Sequence, residues 1–269
     1  MPMTRIATFN VNSVRSRLPI LDVWLSSPSA PDIICLQELK CQDGEFPEAF
    51  FAEHGYVSRY KGMKSYNGVA VISKKAPDDV NFGLGDGLAA PDKAESEAAR
   101  VARARFGKLH IINTYIPQGK ELDNPDYQYK LAFLGRVRAL LERDYKPTDE
   151  VLWVGDLNVA PTNIDVTNPK TKKNHVCFHE DVKKALADVM SWGMEDVFRK
   201  HLPNEGEFTF WDYRVKDSLN RNIGWRIDHI LATKPLAGLS RGVTVERGLR
   251  AMERPSDHTA VVASFDLDL

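Results

Sequence analysis

Short apolar runs, separated by polar and amphipathic stretches, recur from one end of the chain to the other. Runs of this kind that are rich in Val, Ile and Phe predict β-strands. The predicted strands are residues 5–9, 32–37, 68–73, 100–106, 109–116, 151–155, 208–213, 225–232 and 259–265. Residues 32–37 are nearly all apolar, which is typical of a strand buried on both faces. Gly107-Lys108 predicts a tight turn that joins two of the strands into a hairpin.

Amphipathic stretches between the strands predict helices. Leu18, Leu21, Trp24 and Leu25 recur at helical spacing between the first two strands. Asn124-Pro125-Asp126 combines a capping amide, a proline and an acid, so a helix begins there and runs to about residue 144. Its Leu131, Leu134, Val137 and Leu141 are predicted to face the core, and further helical segments fall within residues 179–201. Crossover helices combined with hairpins predict an α/β fold with mixed sheets covered by helices.

The composition fits one large folded unit. The chain has 269 residues, of which 43% are hydrophobic, and a formal net charge of −1. Residues 83–87 and 163–173 predict surface loops and not domain boundaries. Nothing resembles a signal peptide or a bilayer-spanning run, so we expect a cytoplasmic protein that does not contact membranes. Cys35 lies in an apolar run and is predicted to be a small core residue, and the three cysteines have no metal-type spacing.

The near-neutral charge is a weak argument against a nucleic-acid partner, because such proteins usually present a basic surface. The argument does not exclude nucleic acid. A site built from several carboxylates would offset Lys and Arg residues placed elsewhere, and the net figure hides that distribution.

Polar side chains adjoin six of the predicted strands, at points where a sheet presents side chains to a common cleft. They are Asn10 and Asn12, Glu38, Tyr115 and Gln118, Asp156 and Asn158, Asp228, and Asp257 with His258. A single Asp after a strand is more often a turn or cap residue, but six such features together favour a shared site. Carboxylates and amides without a Cys–His cluster make an oxygen-rich site, which suits Mg²⁺ or Mn²⁺ better than zinc. A His beside an Asp, together with a Tyr, supplies donors and proton-transfer groups for a phosphoryl centre.

Six motifs resemble those of exonuclease III and the related abasic-site endonucleases, within the endonuclease–exonuclease–phosphatase superfamily. They are Thr8-Phe9-Asn10-Val11-Asn12, Leu36-Gln37-Glu38-Leu39-Lys40, Thr114-Tyr115-Ile116-Pro117-Gln118-Gly119, Gly155-Asp156-Leu157-Asn158, Trp225-Arg226-Ile227-Asp228 and Ser256-Asp257-His258. They occur in the order of the family and span essentially the whole chain. Each motif alone is weak, and the set is specific.

The resemblance implies a four-layered α/β sandwich in which two mixed β-sheets pack face to face and are flanked by helices. Residues 1–269 would form a single catalytic domain, with the active site in a cleft where the sheets meet. By matching position, Glu38 resembles the principal Mg²⁺ ligand, with Asn10 and Asp257 nearby. Asp156, Asn158 and His258 are further candidate ligands, and Mn²⁺ is expected to substitute for Mg²⁺.

The same resemblance implies catalytic roles. Asp156 would orient or deprotonate the attacking water, and Asn158 and His258 would donate to the scissile phosphate. Asp228 would orient His258, and Tyr115 would contact the phosphate or the transition state. Whether one metal or two takes part, and which residue is the base, stay open.

The implied activity is Mg²⁺-dependent hydrolysis of the DNA backbone 5′ to abasic sites, with 3′→5′ exonuclease activity and removal of 3′ blocking groups. The expected partner is double-stranded DNA with abasic sites or blocked 3′ ends, bound by a monomer that is nucleoid-associated through this substrate. Candidate DNA contacts are Asn12, Gln118, Phe210, Trp211, Trp225 and Ile227. The alternatives are a phosphatase or phosphodiesterase for a small phosphate ester, and a nucleic-acid-binding module that has lost catalysis.

Phe210, Trp225 and Ile227 are predicted to form a small apolar pocket for a flipped-out sugar without a base. For Trp225, a plain core position is an equally good interpretation. Alternation along a strand would put Trp225 and Ile227 on one face and Asp228 on the other, unless the strand bulges there.

Three other residues near the motifs have a structural interpretation. His229 adjoins Asp228, but alternation points it to the opposite face of the strand. Lys40 after Glu38 is interpretable as a solvated charge. Asp165 either braces its loop or supports the site.

Overall fold

The computed structural model describes residues 3–88, 97–204 and 206–269. Among these residues, twelve strands form two six-stranded sheets. The first sheet contains β1 (Thr4–Asn10), β2 (Ile33–Gln37), β3 (Val57–Lys61), β4 (Val69–Ser73), β11 (Ser240–Val245) and β12 (Val261–Phe265). The second contains β5 (Asp79–Phe82), β6 (Val101–Phe106), β7 (Leu109–Tyr115), β8 (Glu150–Asp156), β9 (Met194–Asp196) and β10 (Asp228–Thr233).

Both sheets are mixed. The strand orders are β11-β12-β1-β2-β4-β3 and β5-β6-β7-β8-β10-β9. Strand β1 is parallel to β2 and antiparallel to β12, and β7 is parallel to β8, which is antiparallel to β10. As a result, the polar residues that the sequence singled out lie at the carboxyl ends of β1, β2, β7 and β8 and at the amino ends of β10 and β12.

Helices flank the two sheets. They are α1 (Leu18–Leu25), α2 (Glu48–Glu53), α3 (Pro125–Asp144), α4 (Glu180–Ser191), α5 (Val197–His201), α6 (Lys234–Gly238) and α7 (Arg247–Arg250). Of these, α5 and α6 add buried residues to the apolar layer between the sheets. The Asn124 side chain caps α3 by accepting from the backbone N–H of Asp126, as the sequence predicts. In the parts of the chain that the structure describes, no helix has the length and apolar character needed to cross a membrane.

Three apolar layers hold the molecule together. Ile6, Cys35 and Val71 of the first sheet meet Ile111 and Val154 of the second in the layer between the sheets. A second layer lies between the first sheet and α1 and α2, and a third between the second sheet and α3 and α4. The four-layered α/β sandwich is therefore confirmed, and so is the core position of Cys35.

The sequence prediction missed β3, β5, β9 and β11. All four are edge strands. An edge strand has one unpaired side and often carries charged or polar residues, so its apolar pattern is weak; the sequence Val-Ser-Arg-Tyr-Lys of β3 is an example.

Two predicted strands were wrong in extent. Residues 208–213 form no regular strand, and Phe210 makes only isolated bridges to Trp225 and His258. The strand predicted over residues 225–232 begins at Asp228. In both places the apolar side chains that produced the pattern are packed in loop structure around the polar strand ends.

Candidate active site

Asn10 joins the two sheets at their polar ends. It is the last residue of β1 and is fully buried. Its Nδ2 donates to Glu38 Oε1 at 2.8 Å and to Asp156 Oδ2 at 2.9 Å. Its Oδ1 accepts from the backbone N–H of Asn12 at 3.0 Å. One amide therefore holds two carboxylates from different sheets next to each other.

Glu38 follows β2 in a left-handed backbone conformation, with φ of 53°. Such a conformation is costly for a residue other than Gly and is common at functional sites. Glu38 Oε2 lies 2.9 Å from Lys40 Nζ, which also donates to Asn12 Oδ1. Asn12 Nδ2 in turn donates to Asp257 Oδ1 at 2.9 Å. Lys40 is therefore part of the polar network and not merely a solvated charge.

A buried acid–histidine–acid group lies beside this network. Asp156 ends β8 and pairs in register with Asp228, which begins β10. His258 Nδ1 lies 2.8 Å from Asp228 Oδ2, and its Nε2 lies 3.7 Å from Asp156 Oδ2. All three side chains are at most 5% exposed. The imidazole therefore bridges two carboxylates that have almost no contact with water.

Burial and the neighbouring charges shift the pKa values of these groups. Burial raises the pKa of Asp156 to about 7, against the opposing effect of His258, and the charges of Asp228 and Glu38 add to the rise. Burial lowers the pKa of His258, but Asp228 and Asp156 outweigh it and raise the pKa to about 10. His258 is thus an imidazolium near neutral pH, and Asp156 titrates there. For Glu38, burial opposes the shift, but Lys40 and Asn10 lower its pKa.

The donor set is compatible with a metal ion. Potential ligand atoms of Asp156, Asp228 and His258 lie within 4.8 Å of one another. Asp228 Oδ1 is buried and has no hydrogen-bond partner in the described ranges, 3–88, 97–204 and 206–269. A buried carboxylate oxygen without a donor is costly unless a cation or a water satisfies it. Glu38 lies outside this cluster and reaches it through Asn10.

Asn158 is oriented by its own loop. It has φ of 52°, and its backbone N–H donates to Asp156 Oδ1 at 3.0 Å. Its Nδ2 donates to the carbonyl of Ile116 at 3.0 Å. The predicted donation to a phosphate would therefore use the remaining amide proton or follow a rearrangement. Tyr115 lines the same cavity, with the Arg100 guanidinium 5.1 Å from its ring centroid.

A cavity of about 590 Å³ opens onto the acid–histidine group. Of the predicted residues, its walls include Glu38, Tyr115, Gln118, Asp156, Asn158, Phe210, Trp225, Ile227, Asp257 and His258. The ring centroid of Phe210 lies 4.9 Å from that of His258, and Phe210 bridges to Trp225 through backbone hydrogen bonds. An aromatic wall therefore runs directly from the polar centre.

Trp211 does not belong to this wall, which corrects one of the predicted contacts. The side chain is completely buried, its Nε1 donates to Asn222 Oδ1 at 3.3 Å, and Arg247 packs over its ring. It cannot contact DNA in this conformation and is a scaffold residue. Its neighbour in sequence, Phe210, faces the cavity because successive residues here point in opposite directions.

The conflict between strand alternation and the positions of Trp225, Ile227 and Asp228 is resolved by the strand boundary. Residues 225–227 precede β10 and make irregular hydrogen bonds, with Arg226 N–H donating to the carbonyl of Asp165. Trp225 and Ile227 line the cavity while Asp228 contacts His258.

Two residues near the motifs are structural. His229 is fully buried; its Nε2 lies 2.7 Å from the carbonyl of Val159, and burial lowers its pKa to about 4. Asp165 accepts from Arg226 Nε at 2.6 Å, from Arg199 and from Thr162, so it braces the loop after Asn158. Burial opposes but does not prevent a lowered pKa for Asp165, because Arg226 stabilises the carboxylate.

Sequence reasoning missed two residues of this region. Lys130 of α3 is completely buried and donates to the carbonyls of Gln118, Asn158 and Val176. Its spacing of four and seven residues from Leu134 and Val137 on the apolar face of the helix is the signal that could have revealed it. His175 lines the cavity, and no motif pointed to it.

The fold and the site together define a class of hydrolases. Residues 7–258 match the Endonuclease/Exonuclease/phosphatase family, and the chain belongs to this family. It is accordingly a phosphodiester hydrolase, as the acids, amides and histidine at the ends of its two sheets indicate.

Individual proteins are similar to this chain over almost its whole length. The chain is 31% identical to exodeoxyribonuclease III of Haemophilus influenzae, over 97% of this chain and 99% of that protein. Its structure is similar to that of an AP endonuclease from Archaeoglobus fulgidus, with 46% identity, a TM-score of 0.92 and coverage of 98% and 100% of the two chains. It is also similar to the 3′ phosphatase NExo from Neisseria bound to product DNA hairpin, with 34% identity, a TM-score of 0.88 and the same coverage.

Proposed function

We propose that this protein is a Mg²⁺-dependent DNA repair enzyme that hydrolyses the backbone 5′ to abasic sites. The observation that carries the proposal is the continuity of the aromatic wall with the acid–histidine centre. Phe210 contacts His258, and Trp225 and Ile227 extend the same wall. A phosphate held at His258 would place its attached sugar against these apolar side chains. The relatives named as an exodeoxyribonuclease III, an AP endonuclease and a 3′ phosphatase support this proposal, together with 3′→5′ exonuclease activity and removal of 3′ blocking groups.

The carboxylates Glu38 and Asp257 are the residues proposed to hold the metal, and Asn10 positions Glu38 beside Asp156. A bound Mg²⁺ would neutralise charge on the phosphate and favour attack by water. Because their oxygens are hard ligands, Mn²⁺ is expected to substitute for Mg²⁺.

Asp156 and His258 are proposed to have different roles, one as a proton acceptor and the other as a hydrogen-bond donor. With a pKa raised to about 7, Asp156 can accept a proton from the attacking water at neutral pH. His258, kept protonated by Asp228, can donate a charged hydrogen bond to a phosphate oxygen. Tyr115 and Asn158 line the same cavity and are proposed to contact that phosphate.

The DNA contacts proposed beyond the centre are Asn12, Gln118, Phe210, Trp225 and Ile227. Gln118 is exposed at the mouth of the cavity. We further propose that residues 1–269 act as one catalytic domain and as a monomer, since the site is assembled from both sheets of a single chain.

The test compares two duplexes that differ only in one abasic analogue, incubated with and without Mg²⁺. We expect incision of the abasic duplex only, at a rate that falls by at least roughly a hundredfold, about 3 kcal/mol, in Asp156→Asn. Trp225→Ala should relax discrimination between the two duplexes beyond any general loss of rate, since it enlarges the pocket. A thermal melt controls for unfolding.

Two outcomes would contradict the proposal. Faster turnover of a small phosphate ester than of abasic DNA, with little dependence on salt, would favour the small-ester phosphatase, because DNA affinity falls steeply with salt. Binding of abasic DNA without turnover at any metal concentration would favour a binding module.

A further inference from the structure

Two side-chain amides meet in the layer between the sheets, behind the polar strand ends. Gln37 ends β2, and Asn113 lies on β7 two residues before Tyr115. Alternation along β2 places Gln37 on the same face as Cys35, which belongs to the apolar layer between the sheets. Gln37 Nε2 donates to Asn113 Oδ1 at 2.7 Å, and both side chains are completely buried. The contact therefore joins the first sheet to the second, next to the strand ends that carry Glu38 and Tyr115.

The other partners of the two amides fix their orientation. Asn113 Nδ2 donates to the carbonyls of Leu36 and Ala70, each at 3.0 Å. Gln37 Nε2 also donates to the carbonyl of Cys35 at 2.9 Å. Exchanging the nitrogen and oxygen of either amide would bring its oxygen against a carbonyl oxygen, so the Gln37 nitrogen must face the Asn113 oxygen. The pair thus has a single hydrogen-bonding arrangement.

The Gln37 amide is poorly matched to its surroundings at one atom. Its Oε1 is buried, and in the part of the chain that the structure describes no group donates to it. Its Nε2 has three acceptors for two hydrogens, since Thr8 Oγ1 lies 3.0 Å away in addition to the Cys35 and Asn113 oxygens. A buried carbonyl oxygen without a donor costs free energy, and an apolar side chain of similar size would avoid that cost. Stability alone therefore does not account for a glutamine at this position.

Glu38, the residue after Gln37, has a left-handed backbone with φ of 53°. A conformation of this kind persists only where the surrounding contacts fix the chain. On the carboxyl side of Glu38, the backbone N–H of Lys40 donates to the carbonyl of Asn67 at 3.1 Å. On the amino side, the Gln37 amide fixes the chain to the second sheet. Loss of that amide contact would let the backbone relax at Glu38 and turn its carboxylate.

The amide contact also sets the separation of Glu38 from Tyr115. Asn113 and Tyr115 are two residues apart on β7, so their side chains lie on the same face of the strand. Burial raises the pKa of Tyr115, and the charge of Glu38 and a hydrogen bond with Glu38 add to the rise. The two functional side chains therefore meet across the gap between the sheets that Gln37 and Asn113 span.

We infer that Gln37 and Asn113 are positioning residues, which hold the Glu38 carboxylate in the direction that binds a divalent cation. The inference rests on the proposed function, in which Glu38 is a metal ligand, and it adds the part of the interior that orients this ligand. Both amides are completely buried and lie outside the walls of the cavity, so they act through Glu38 and not on the substrate. A ligand held in its binding conformation loses less free energy when the ion arrives.

The test measures Mn²⁺ binding directly, through the electron paramagnetic resonance signal of the free ion, so that it does not depend on turnover. Gln37→Met keeps a similar volume and removes the donor to Asn113, and it should raise the Kd for Mn²⁺ about tenfold. Glu38→Gln should raise this Kd at least as much. The double variant should bind Mn²⁺ no more weakly than Glu38→Gln alone, because Gln37 acts through Glu38. The Mg²⁺ concentration for half-maximal incision should rise in Gln37→Met, and saturating Mg²⁺ should restore most of the rate.

Tyr56→Phe is the matched control. Tyr56 is buried, and its hydroxyl donates to the carbonyl of Pro31 at 2.6 Å, just before the start of β2. The substitution removes a buried hydrogen bond at the opposite end of the same strand, so it should lower the melting temperature and leave the Kd for Mn²⁺ unchanged. Gln37→Asn, whose amide is one methylene too short to reach Asn113, takes the place of Gln37→Met if that variant does not fold.

An unchanged Kd for Mn²⁺ in a folded Gln37 variant would overturn the inference, and a lower rate at every Mg²⁺ concentration would then make the pair a purely structural contact. A double variant that binds Mn²⁺ about tenfold more weakly than Glu38→Gln would also overturn it, since Gln37 would act independently of Glu38. An unchanged Kd in Glu38→Gln would remove Glu38 from the metal site, and the inference with it. Failure of the unmodified enzyme to incise abasic DNA would refute the proposed function separately.

Discussion

Replacing Lys130 with Met tests whether one buried ammonium holds the loops of the site in place. Lys130 Nζ donates to the carbonyl of Asn158 at 2.7 Å, of Val176 at 2.9 Å and of Gln118 at 3.1 Å. Gln118 belongs to the segment between β7 and α3, whereas Asn158 and Val176 lie near the two ends of the segment between β8 and α4. The side chain is completely buried, and burial lowers its pKa. A single side chain of α3 thus ties the segment that carries Gln118 to both ends of the segment that carries Asn158 and Val176.

The magnitude follows from what the substitution leaves behind. Met fills a similar volume and needs no desolvation of a charge, so part of the loss is recovered. It leaves three loop carbonyls without their donor, at about 1–3 kcal/mol for each one that stays buried and unpaired. We expect a net loss of about 3 kcal/mol in the free energy of unfolding. Displacement of Asn158 should also lower the single-turnover rate roughly tenfold, because small misplacements of reacting groups are costly.

The assays are urea unfolding, followed by tryptophan fluorescence, and single-turnover incision of abasic DNA. Gln128→Met is the matched control on the same helix, since Gln128 is exposed and surface substitutions usually change the free energy of unfolding by at most about 0.5 kcal/mol. If Lys130→Met unfolds at the same urea concentration as the parent and retains its rate, the loops are positioned by other contacts and the reasoning is wrong.

Two further predictions concern the charges of the centre. Glu38→Gln should raise the Mg²⁺ concentration for half-maximal activity at least about tenfold and leave the melting temperature unchanged. The control is Glu45→Gln, which changes an exposed acid beside Arg15 and should leave the Mg²⁺ requirement as it is. If the Mg²⁺ titration of Glu38→Gln is also unchanged, Glu38 does not belong to the metal site. Asp228 and Asp156 outweigh burial and raise the pKa of His258 to about 10. The interaction of His258 with Asp228 therefore stabilises the fold fully below pH 6.5, and this stabilisation is lost as the pH rises through about 10. Asp228→Asn should therefore destabilise the protein most below 6.5 and move the alkaline limb of the rate profile down by about one to two pH units, while Asp22→Asn, at the surface pair with His54, should leave both unchanged; an unmoved alkaline limb would show that His258 does not govern it.

The central strands were predictable because they are buried on both faces. All five residues of β2 are buried, and the first four of them form an uninterrupted apolar run in the sequence. The edge strands were not predictable by the same means, since β5 alternates between exposed and half-buried positions and contains Asp79 and Asn81. The strand predicted over residues 208–213 was wrong because an apolar pattern indicates burial and not strand pairing. Several of these residues are buried, but they form only isolated bridges and no hydrogen-bonded ladder.

The residues that form the site were easier to predict from the sequence than the directions in which their side chains point. Strand-end polarity and the family motifs pointed to Glu38, Asp156 and His258, and the structure brings them together. The same reasoning placed Trp211 in the site, since sequence cannot tell which of two neighbouring aromatic residues faces a cavity. Sequence reasoning missed His175, because the position of this residue on the cavity wall depends on its contact with Trp225, which is distant in sequence.

The charge distribution explains why a chain with a net charge of −1 can bind a polyanion. The carboxylates of Asp156 and Asp228 are buried next to each other, and the raised pKa of Asp156 records the cost of keeping it ionised there. That cost lowers the stability of the folded state as the pH rises from 3.8 through about 7, the same direction as the loss of the His258 pair but at lower pH. A fold that keeps such a centre gives up stability for reactivity, and a divalent cation held by Glu38 and Asp257 would offset part of the neighbouring negative charge. Asp156 and Asp228 count in the net charge but are withdrawn from the surface, whereas Lys172 lines the cavity, as does Arg214, which pairs with Asp212.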